Sequence, residues 1–250
     1  MPKALITGAS SGIGAAIAKE LSSMGYETIL VARRKDRLLS LQKTLPSSSE
    51  IFVADLENPE ELEKLLANYP DIDLLVNNAG LGVYGEFTET DFERESTMLD
   101  VNIRALHYLM KRYIPLMEKR GGGKILNVSS SAAFFTGPFL SSYYASKAYV
   151  LKLSRAVREE LRRKSSPVTV SVLCPGPVKT EFGEVSGSDL GKNALDADTV
   201  ARVALRGTFK GKAVIVPGFT MKCSRFFSKF IPEAISVRIL YKIQKAKQPR

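Results

Sequence analysis

The chain of 250 residues has few of the residues on which several classes of protein depend. It contains two cysteines, Cys174 and Cys223, one histidine and no tryptophan. We therefore exclude a disulfide-rich scaffold and a zinc site of the cysteine and histidine type, and we expect no bound metal. No segment reaches the roughly 18 uncharged apolar residues that a membrane-spanning helix needs. Met1 leads directly into an apolar run, which leaves no room for a signal peptide, so we expect a cytoplasmic protein.

Positive charge is concentrated at one end of the chain. Lys and Arg number 36 against 26 Asp and Glu, and the formal net charge is +10. Residues 221–250 contribute +7 of this charge, so the preceding 220 residues are close to neutral. A basic protein is a candidate for binding nucleic acid. Because the charge is confined to the tail and no base-reading motif accompanies it, we expect no nucleic-acid partner.

Short β-branched or aliphatic runs alternate with longer segments of helical period, and hydrophobic residues make up 44% of the chain. The predicted strands are Ala4–Thr7, Thr28–Val31, Ile51–Ala54, Ile72–Val76, Lys124–Val128, Val168–Leu173 and Ala213–Val216. The predicted helices are Ile13–Met24, Asp36–Leu45, Pro59–Asn68, Asp100–Lys119, Ser142–Lys164 and Ala197–Phe209. This alternation predicts an α/β fold with one Rossmann-like domain, a doubly wound parallel sheet of about seven strands with helices on both faces.

We assign residues 1–217 to this domain and residues 218–250 to a basic, amphipathic helical extension of it. The segment 181–196 is polar and glycine-rich, which is typical of a mobile loop that closes over a substrate. The extension interleaves basic residues with Phe and Ile. Basic amphipathic helices bind anionic membranes. The extension is therefore a candidate for peripheral membrane contact, and packing against the domain is the alternative.

A glycine-rich turn follows the first predicted strand and precedes the first predicted helix. Its sequence is Gly8-Ala9-Ser10-Ser11-Gly12-Ile13-Gly14. In this context the backbone N–H groups of the turn and the start of the helix can hold a phosphate, and the glycines let it approach. Gly14 lets the helix pack closely on the strand. The alternative is that the glycines serve only the turn.

The end of the second predicted strand carries Ala32-Arg33-Arg34. In dinucleotide-binding folds an acidic residue here accepts hydrogen bonds from the adenine ribose, and it would repel a 2′-phosphate. Here Ala32 replaces the acid, and two guanidinium groups can pair with a phosphate. NADP is favoured over NAD, unless Arg33 and Arg34 are only solvated surface charges.

Tyr143 and Lys147 lie four residues apart at the start of the long predicted helix and therefore share one of its faces. A free phenol has a pKa of roughly 10, and a nearby ammonium lowers it. Such a tyrosine can exchange a proton with an alcohol or ketone oxygen. Ser130 follows the fifth predicted strand and brings a hydroxyl to the same edge of the sheet. An exposed helix pair is the alternative for Tyr143 and Lys147 alone.

Seven motifs together carry a resemblance to a known family. They are Thr7-Gly8-x3-Gly12-x-Gly14, Asp55-Leu56, Asn77-Asn78-Ala79-Gly80, Asn102, Ser130, Tyr143-x3-Lys147 and Pro175-Gly176-Pro177-Val178-Lys179-Thr180. Their order resembles the short-chain dehydrogenase/reductase family, here a member that prefers NADP, over residues 3 to 217.

The resemblance implies an NADP(H)-dependent enzyme that interconverts a ketone and a secondary alcohol, of the carbonyl reductase or alcohol dehydrogenase type. Tyr143 would be the general acid/base, Ser130 would orient the substrate carbonyl, and Lys147 would bind the nicotinamide ribose. Asn102 would be the relay residue beside the lysine.

The resemblance also implies cofactor contacts and an assembly. The expected cofactor contacts outside the glycine turn are Arg33, Arg34, Asp55, Leu56, Asn78, Ala79, Gly80, Tyr143, Lys147, Pro175, Gly176, Val178 and Thr180. A homodimer or homotetramer would form through helices near residues 102–119 and 142–164. Apolar Phe134, Phe135, Phe139 and Leu140 indicate a hydrophobic pocket wall and a hydrophobic substrate, and packing of these side chains against their own loop is the alternative. An NADP(H)-binding redox sensor or scaffold without catalysis is the alternative function.

Overall fold

A computed structural model describes residues 1–183, 194–228 and 230–246. Most of the predicted substrate loop, residues 184–193, lies outside the described residues, as do Lys229 and residues 247–250 of the basic tail. The strands are β1 Lys3–Thr7, β2 Glu27–Ala32, β3 Ser49–Val53, β4 Leu74–Asn77, β5 Gly123–Val128, β6 Val168–Leu173 and β7 Val214–Ile215. They form one sheet in the order β3-β2-β1-β4-β5-β6-β7, and every paired neighbour is parallel.

Helices cover both faces of this sheet. They are α1 Gly12–Ser23, α2 Lys35–Gln42, α3 Pro59–Asn68, α4 Phe92–Leu99, α5 Leu106–Lys119, α6 Ser141–Arg163, α7 Ala197–Phe209, α8 Phe219–Phe227 and α9 Glu233–Lys245. Alternate strand residues enter opposite cores, because successive side chains of a strand point to opposite faces. Leu5 packs with residues of α3, α5 and α6, whereas Ala4 and Ile6 pack with residues of α1, α2 and α7. The predicted doubly wound parallel sheet is confirmed.

One helical region differs from the sequence prediction. The prediction begins a helix at Asp100, but the chain is already helical from Phe92, and Asp91 caps α4 by accepting a hydrogen bond from the Arg94 backbone N–H at 2.8 Å. Only Met98 of α4 is buried, so the sequence of α4 carries a weak apolar period. Residues Asp100–Ala105 then form a π-helical turn between α4 and α5.

The order of the strands positions the functional residues. The chain leaves β1 toward β2 on one side and reaches β4 on the other, so the loops after β1 and β4 diverge and leave a crevice at the carboxyl ends. The glycine turn, Asn78 and Ser130 follow β1, β4 and β5 at this same edge.

The C-terminal extension returns to this edge of the sheet. Glu233 at the start of α9 accepts a hydrogen bond from Thr136 Oγ1 at 2.6 Å, and Gln244 near its end donates to Tyr144 Oη at 2.8 Å. Among the helices that the structure describes, none is long and apolar enough to cross a membrane. The division of the chain at residue 217 stays a prediction.

Candidate active site

The glycine turn makes a tight connection between β1 and α1, and most of its residues line a cavity. Gly8 and Gly12 have φ of +65° and +55°, a region that L side chains rarely adopt. A Cβ on Gly12 would lie 2.9 Å from Thr180 Cγ2. A Cβ on Gly14 would lie 2.4 Å from the Gly8 carbonyl oxygen, so α1 packs against the turn itself. Only glycine fits these three positions without a shift of the surrounding atoms.

Thr7 and Asn78 lock the turn to the loop after β4. Thr7 Oγ1 accepts hydrogen bonds from the backbone N–H groups of Asn78 and Ala79 at 3.0 and 3.1 Å. The Asn78 side chain donates to the carbonyl oxygens of Thr7 and Gly8 at 3.0 and 3.2 Å. The wall of residues 78–80 is therefore held at a fixed distance from the glycine turn.

Three arginines cluster beside the glycine turn. Arg34 donates to Ser10 Oγ and Ser11 Oγ, with shortest distances of 3.0 and 2.9 Å, and it pairs with Glu181 at 2.8 Å. Arg37 also pairs with Glu181. Nearby, Arg33 Nη1 lies 3.5 Å from Asp55 Oδ2. The cluster holds more positive than negative groups and suits a phosphate.

The sequence analysis missed two members of this cluster. Arg37 follows Arg34 by three residues across the start of α2, and this helical spacing was the available signal. Glu181 is 147 positions from Arg34, and no local pattern points to it.

Ser130, Tyr143 and Lys147 meet at the carboxyl edge of the sheet. Tyr143 and Lys147 lie on the buried face of α6, with 9% and 4% of their surface exposed. The Tyr143 hydroxyl is hydrogen-bonded to Ser130. Lys147 Nζ donates to the Val128 carbonyl oxygen at 3.2 Å and lies 5.8 Å from the centroid of the Tyr143 ring.

Asn102 lies in the π-helical turn, directly behind this group. Its amide donates to the Leu81 carbonyl oxygen and to Ser146 Oγ, both at 3.0 Å, and its Oδ1 accepts from the Leu81 N–H at 2.9 Å. A Cβ on Gly80 would lie 2.9 Å from Lys147 Nζ and 3.2 Å from Asn102 Oδ1. Single π-helical turns inside α-helices occur frequently at functional sites. The four predicted catalytic residues are thus brought together.

Burial shifts the pKa values of the two titratable members in opposite directions. It raises the pKa of Tyr143 to about 12, although the hydrogen bond from Ser130 acts in the lowering direction. Burial also lowers the pKa of Lys147 to about 8. The expected lowering of the Tyr143 pKa by Lys147 is wrong for this arrangement. The removal of the phenolate from water dominates, and the ammonium is hydrogen-bonded to a backbone carbonyl.

A cavity of about 430 Å³ connects the glycine turn with this group. Nearly all the predicted cofactor and catalytic residues line it, and Gly14 and Asn102 are the exceptions. Gly14 packs beneath the turn and Asn102 lies behind Gly80, so neither residue is part of the lining.

The predicted hydrophobic wall is only partly correct. Leu140 lines the cavity, but Phe134, Phe135 and Phe139 are not part of its lining. The Phe139 ring packs between Tyr84 and Tyr241, and the Arg225 guanidinium lies 5.3 Å from the Phe134 centroid. The sequence analysis missed further lining residues, among them Tyr144, Phe182 and Gln244.

An open parallel sheet with a glycine turn and a cavity at its switch point defines the class of dinucleotide-binding α/β proteins. The family described as short chain dehydrogenase matches residues 2–191. The chain belongs to the short-chain dehydrogenase/reductase family, whose members are oxidoreductases with a fold that binds a nicotinamide cofactor.

Two relatives show the range of named functions. An uncharacterized oxidoreductase of Staphylococcus epidermidis is 32% identical over 203 residues, which cover 79% of this chain and 86% of that protein. A 3-oxoacyl-(acyl-carrier-protein) reductase of Rickettsia prowazekii is 32% identical over 181 residues, which cover 71% and 73%.

Two solved structures resemble this one. A short-chain dehydrogenase from Sphingobium yanoikuyae in complex with NADPH has a TM-score of 0.81 and 30% identity, covering 94% of this chain and 98% of that one. A short-chain dehydrogenase/reductase from Burkholderia phymatum in complex with NAD has a TM-score of 0.82 and 23% identity, covering 90% and 92%. The second likeness shows the fold alone.

Proposed function

We propose that this protein is an NADP(H)-dependent oxidoreductase that interconverts a ketone and a secondary alcohol, with Tyr143 as its general acid/base. The convergence of Ser130, Tyr143 and Lys147 in one cavity with the glycine turn carries this proposal. In such a cavity a proton donor, an orienting hydroxyl and a cofactor site face the same reacting carbonyl.

The residues fit a nicotinamide dinucleotide. The glycine turn gives the pyrophosphate access to backbone N–H groups, and a Cβ on Gly12 would crowd Thr180, which lines the same cavity. Lys147 would hold the nicotinamide ribose, and Val178 and Thr180 would clamp the nicotinamide amide and the phosphates. Asn78–Gly80 would form the wall beside the adenine ribose. When bound, the cofactor supplies the hydride; the protein supplies orientation and a proton.

In the reducing direction Tyr143 donates its phenolic proton to the carbonyl oxygen. A pKa of about 12 keeps this phenol protonated at neutral pH, which is the form that reduction needs. Ser130, hydrogen-bonded to Tyr143, holds the same oxygen in line with the phenol. A positioned general acid contributes about 10² to 10⁴ in rate.

Lys147 and Asn102 assist the proton transfer from Tyr143. With a pKa of about 8, Lys147 carries its charge at pH 7 and can donate to ribose hydroxyls. Asn102 fixes the loop at Leu81 through two hydrogen bonds and is therefore a positioning residue.

The preference for NADP rests on the arginine cluster. Ala32 leaves no acidic side chain at the end of β2, and Arg33, Arg34 and Arg37 offer donors to a 2′-phosphate. Glu181 occupies two of these arginines and would have to yield to that phosphate.

The proposal is tested by product identification with the wild-type protein. NADPH and NADH are supplied in parallel with activated ketones, diketones and long-chain 3-keto compounds, and alcohols are detected by mass spectrometry. Alcohol formed with NADPH at least about tenfold faster than with NADH would support both the ketone reduction and the preference for NADP. Equal rates with NADPH and NADH would contradict the proposed preference for NADP. Tight binding of NADPH without any product would favour the redox sensor or scaffold.

We also propose a homo-oligomer and a cytoplasmic location, following the family, whose members bind small-molecule substrates and are commonly oligomeric. The face of α5 and α6 is the expected contact, and His107 Nδ1 and Tyr149 Oη lie 2.6 Å apart on it. Light scattering of the purified chain gives its mass, and a monomer at all concentrations would contradict this assembly.

A peripheral contact with anionic lipid is proposed for the exposed face of the extension. Its exposed apolar residues include Phe219, Phe226, Phe227, Phe230, Ile231, Ile235, Ile239 and Ile243. The strongly positive charge of residues 221–250 opposes self-association through this face and favours an anionic surface.

Vesicle co-sedimentation tests the lipid contact on the full-length chain. We expect binding to vesicles with anionic lipid and loss of binding in Ile235→Ser/Ile239→Ser. Phe87→Ser/Phe92→Ser changes two apolar residues elsewhere that are even more exposed, and it is the matched control. Equal binding by all three proteins would contradict the contact.

A further inference from the structure

Gln244 is buried in a helix whose apolar residues are largely exposed. Its side chain and backbone expose 5% of their surface, whereas Ile235, Ile239 and Ile243 expose about half. Glutamine is rarely buried without a polar task. The orientation of α9 therefore places an amide, and not its isoleucines, against the domain.

Two tyrosines hold Gln244 at the cavity. Gln244 Nε2 donates to Tyr144 Oη at 2.8 Å, and Tyr84 Oη donates to the Gln244 carbonyl oxygen at 2.5 Å. The Tyr241 ring lies 5.2 Å from the Phe139 ring and steadies the same end of α9. Gln244 and Tyr144 both line the cavity that contains Ser130 and Tyr143.

The Gln244 amide and the Tyr144 hydroxyl each have one hydrogen-bonding position that is not used. Gln244 Oε1 is buried and has no hydrogen-bond partner among the described residues. Tyr144 Oη accepts from Gln244, and within those same residues its own proton meets no acceptor. A buried acceptor without a donor is costly in a folded protein. An acceptor and a donor side by side are complementary to a hydroxyl, which both donates and accepts.

We propose that Gln244 and Tyr144 form a second polar subsite, which binds a hydroxyl group on the substrate remote from the reacting carbonyl. The hydroxyl donates to Gln244 Oε1 and accepts from Tyr144 Oη. The Tyr143 and Tyr144 rings are 6.3 Å apart, and the apolar Leu140 and Phe182 line the same cavity. The substrate class is then a hydroxylated ketone with an apolar chain between its two oxygens. This inference rests on the proposed ketone reduction.

Matched substrates test the subsite. A series of 2-alkanones of increasing length is compared with the corresponding ω-hydroxy and ω-methoxy compounds, using NADPH. At one chain length we expect kcat/KM for the hydroxy compound to exceed that of the other two by about tenfold. The methoxy compound accepts but cannot donate, so equal rates with it would overturn the role of Gln244 Oε1.

Variants assign the preference to these residues. Gln244→Met keeps the length of the side chain and removes the amide, so we expect the ratio of kcat/KM for the hydroxy compound to kcat/KM for the plain alkanone to fall about tenfold. Arg238→Met changes an exposed residue of the same helix and is expected to keep the preference. If Gln244→Met does not fold, Tyr144→Phe removes the other half of the subsite. An unchanged preference in the variants would overturn the proposal.

A binding measurement separates this proposal from the proposed function. If the wild type reduces no ketone, the proposed function fails, and thermal-shift titrations with 1,ω-diols and 1-alkanols decide about the subsite. Tighter binding of a diol that Gln244→Met loses would support the subsite. Equal binding of diol and alkanol would overturn it.

Discussion

Glu181→Gln tests how the arginine cluster distinguishes the two cofactors. Glu181 accepts hydrogen bonds from Arg34 and Arg37, and these hold the pKa of its carboxyl below the usual range. A 2′-phosphate needs the same guanidinium groups, so it must displace the carboxylate. The amide of the variant carries no charge and would release both arginines to the phosphate.

The magnitude follows from the exposure of these groups. The side chains of Arg34 and Glu181 are 44% and 33% exposed, and exposed ion pairs contribute about 0.2 to 1 kcal/mol each. Loss of two such pairs from the free protein should therefore tighten NADPH binding by about 2- to 30-fold. NADH lacks the phosphate, so its affinity should change by less than about twofold. The gain should shrink at high salt, because screening weakens exposed pairs.

Fluorescence titration of NADPH and NADH into wild type and Glu181→Gln measures these affinities directly. Glu159→Gln is the matched control, since Glu159 also pairs with two arginines, Arg162 and Arg163, and all three side chains are exposed near the end of α6. Unchanged NADPH binding in Glu181→Gln, or equal tightening of NADPH and NADH, would refute a competition between Glu181 and the 2′-phosphate for these arginines.

Two further predictions concern pH and packing. The Tyr143 pKa of about 12 keeps the phenol protonated, so ketone reduction should be flat from pH 6 to about 7.5 and fall above pH 8 as Lys147 loses its proton. Alcohol oxidation needs the phenolate and should rise about tenfold per pH unit from pH 6 to 8; parallel profiles in the two directions would contradict this. Gly14→Ala would place a Cβ 2.4 Å from the Gly8 carbonyl oxygen and should lower the free energy of unfolding by about 1 to 3 kcal/mol. Urea denaturation measures this, with Ser23→Ala at the exposed end of α1 as control; equal midpoints would count against the packing.

The central strands could be predicted from sequence because most of their side chains are buried on both faces of the sheet. Buried residues follow one another in β5 and β6, where aliphatic side chains predominate, and this is typical of a sheet covered by helices on both faces. α4 could not be predicted in the same way, because most of its residues are partly or fully exposed. The π-helical turn at Asn102 follows from tertiary contacts with Leu81 and Ser146, which the local sequence does not encode.

In the site, too, local sequence patterns could be predicted and tertiary contacts could not. Motif spacing predicted that Ser130, Tyr143 and Lys147 lie together, because Ser130 closely follows the end of β5 while Tyr143 and Lys147 share one face of α6. The electrostatic balance at Tyr143 was not predictable from spacing, since it depends on how completely the phenol is buried. Gln244 lies 100 residues from its partner Tyr144. Only the path of α9 back to the cavity reveals that contact.

The most direct test of the central claim compares Tyr143→Phe with wild type. Tyr149→Phe removes an exposed hydroxyl from the same helix and is the control. With saturating ketone, we expect Tyr143→Phe to oxidise NADPH about 10² to 10⁴ times more slowly, while its NADPH affinity stays within about threefold and Tyr149→Phe remains active. Turnover by Tyr143→Phe at the wild-type rate would contradict the role of Tyr143 as the proton donor.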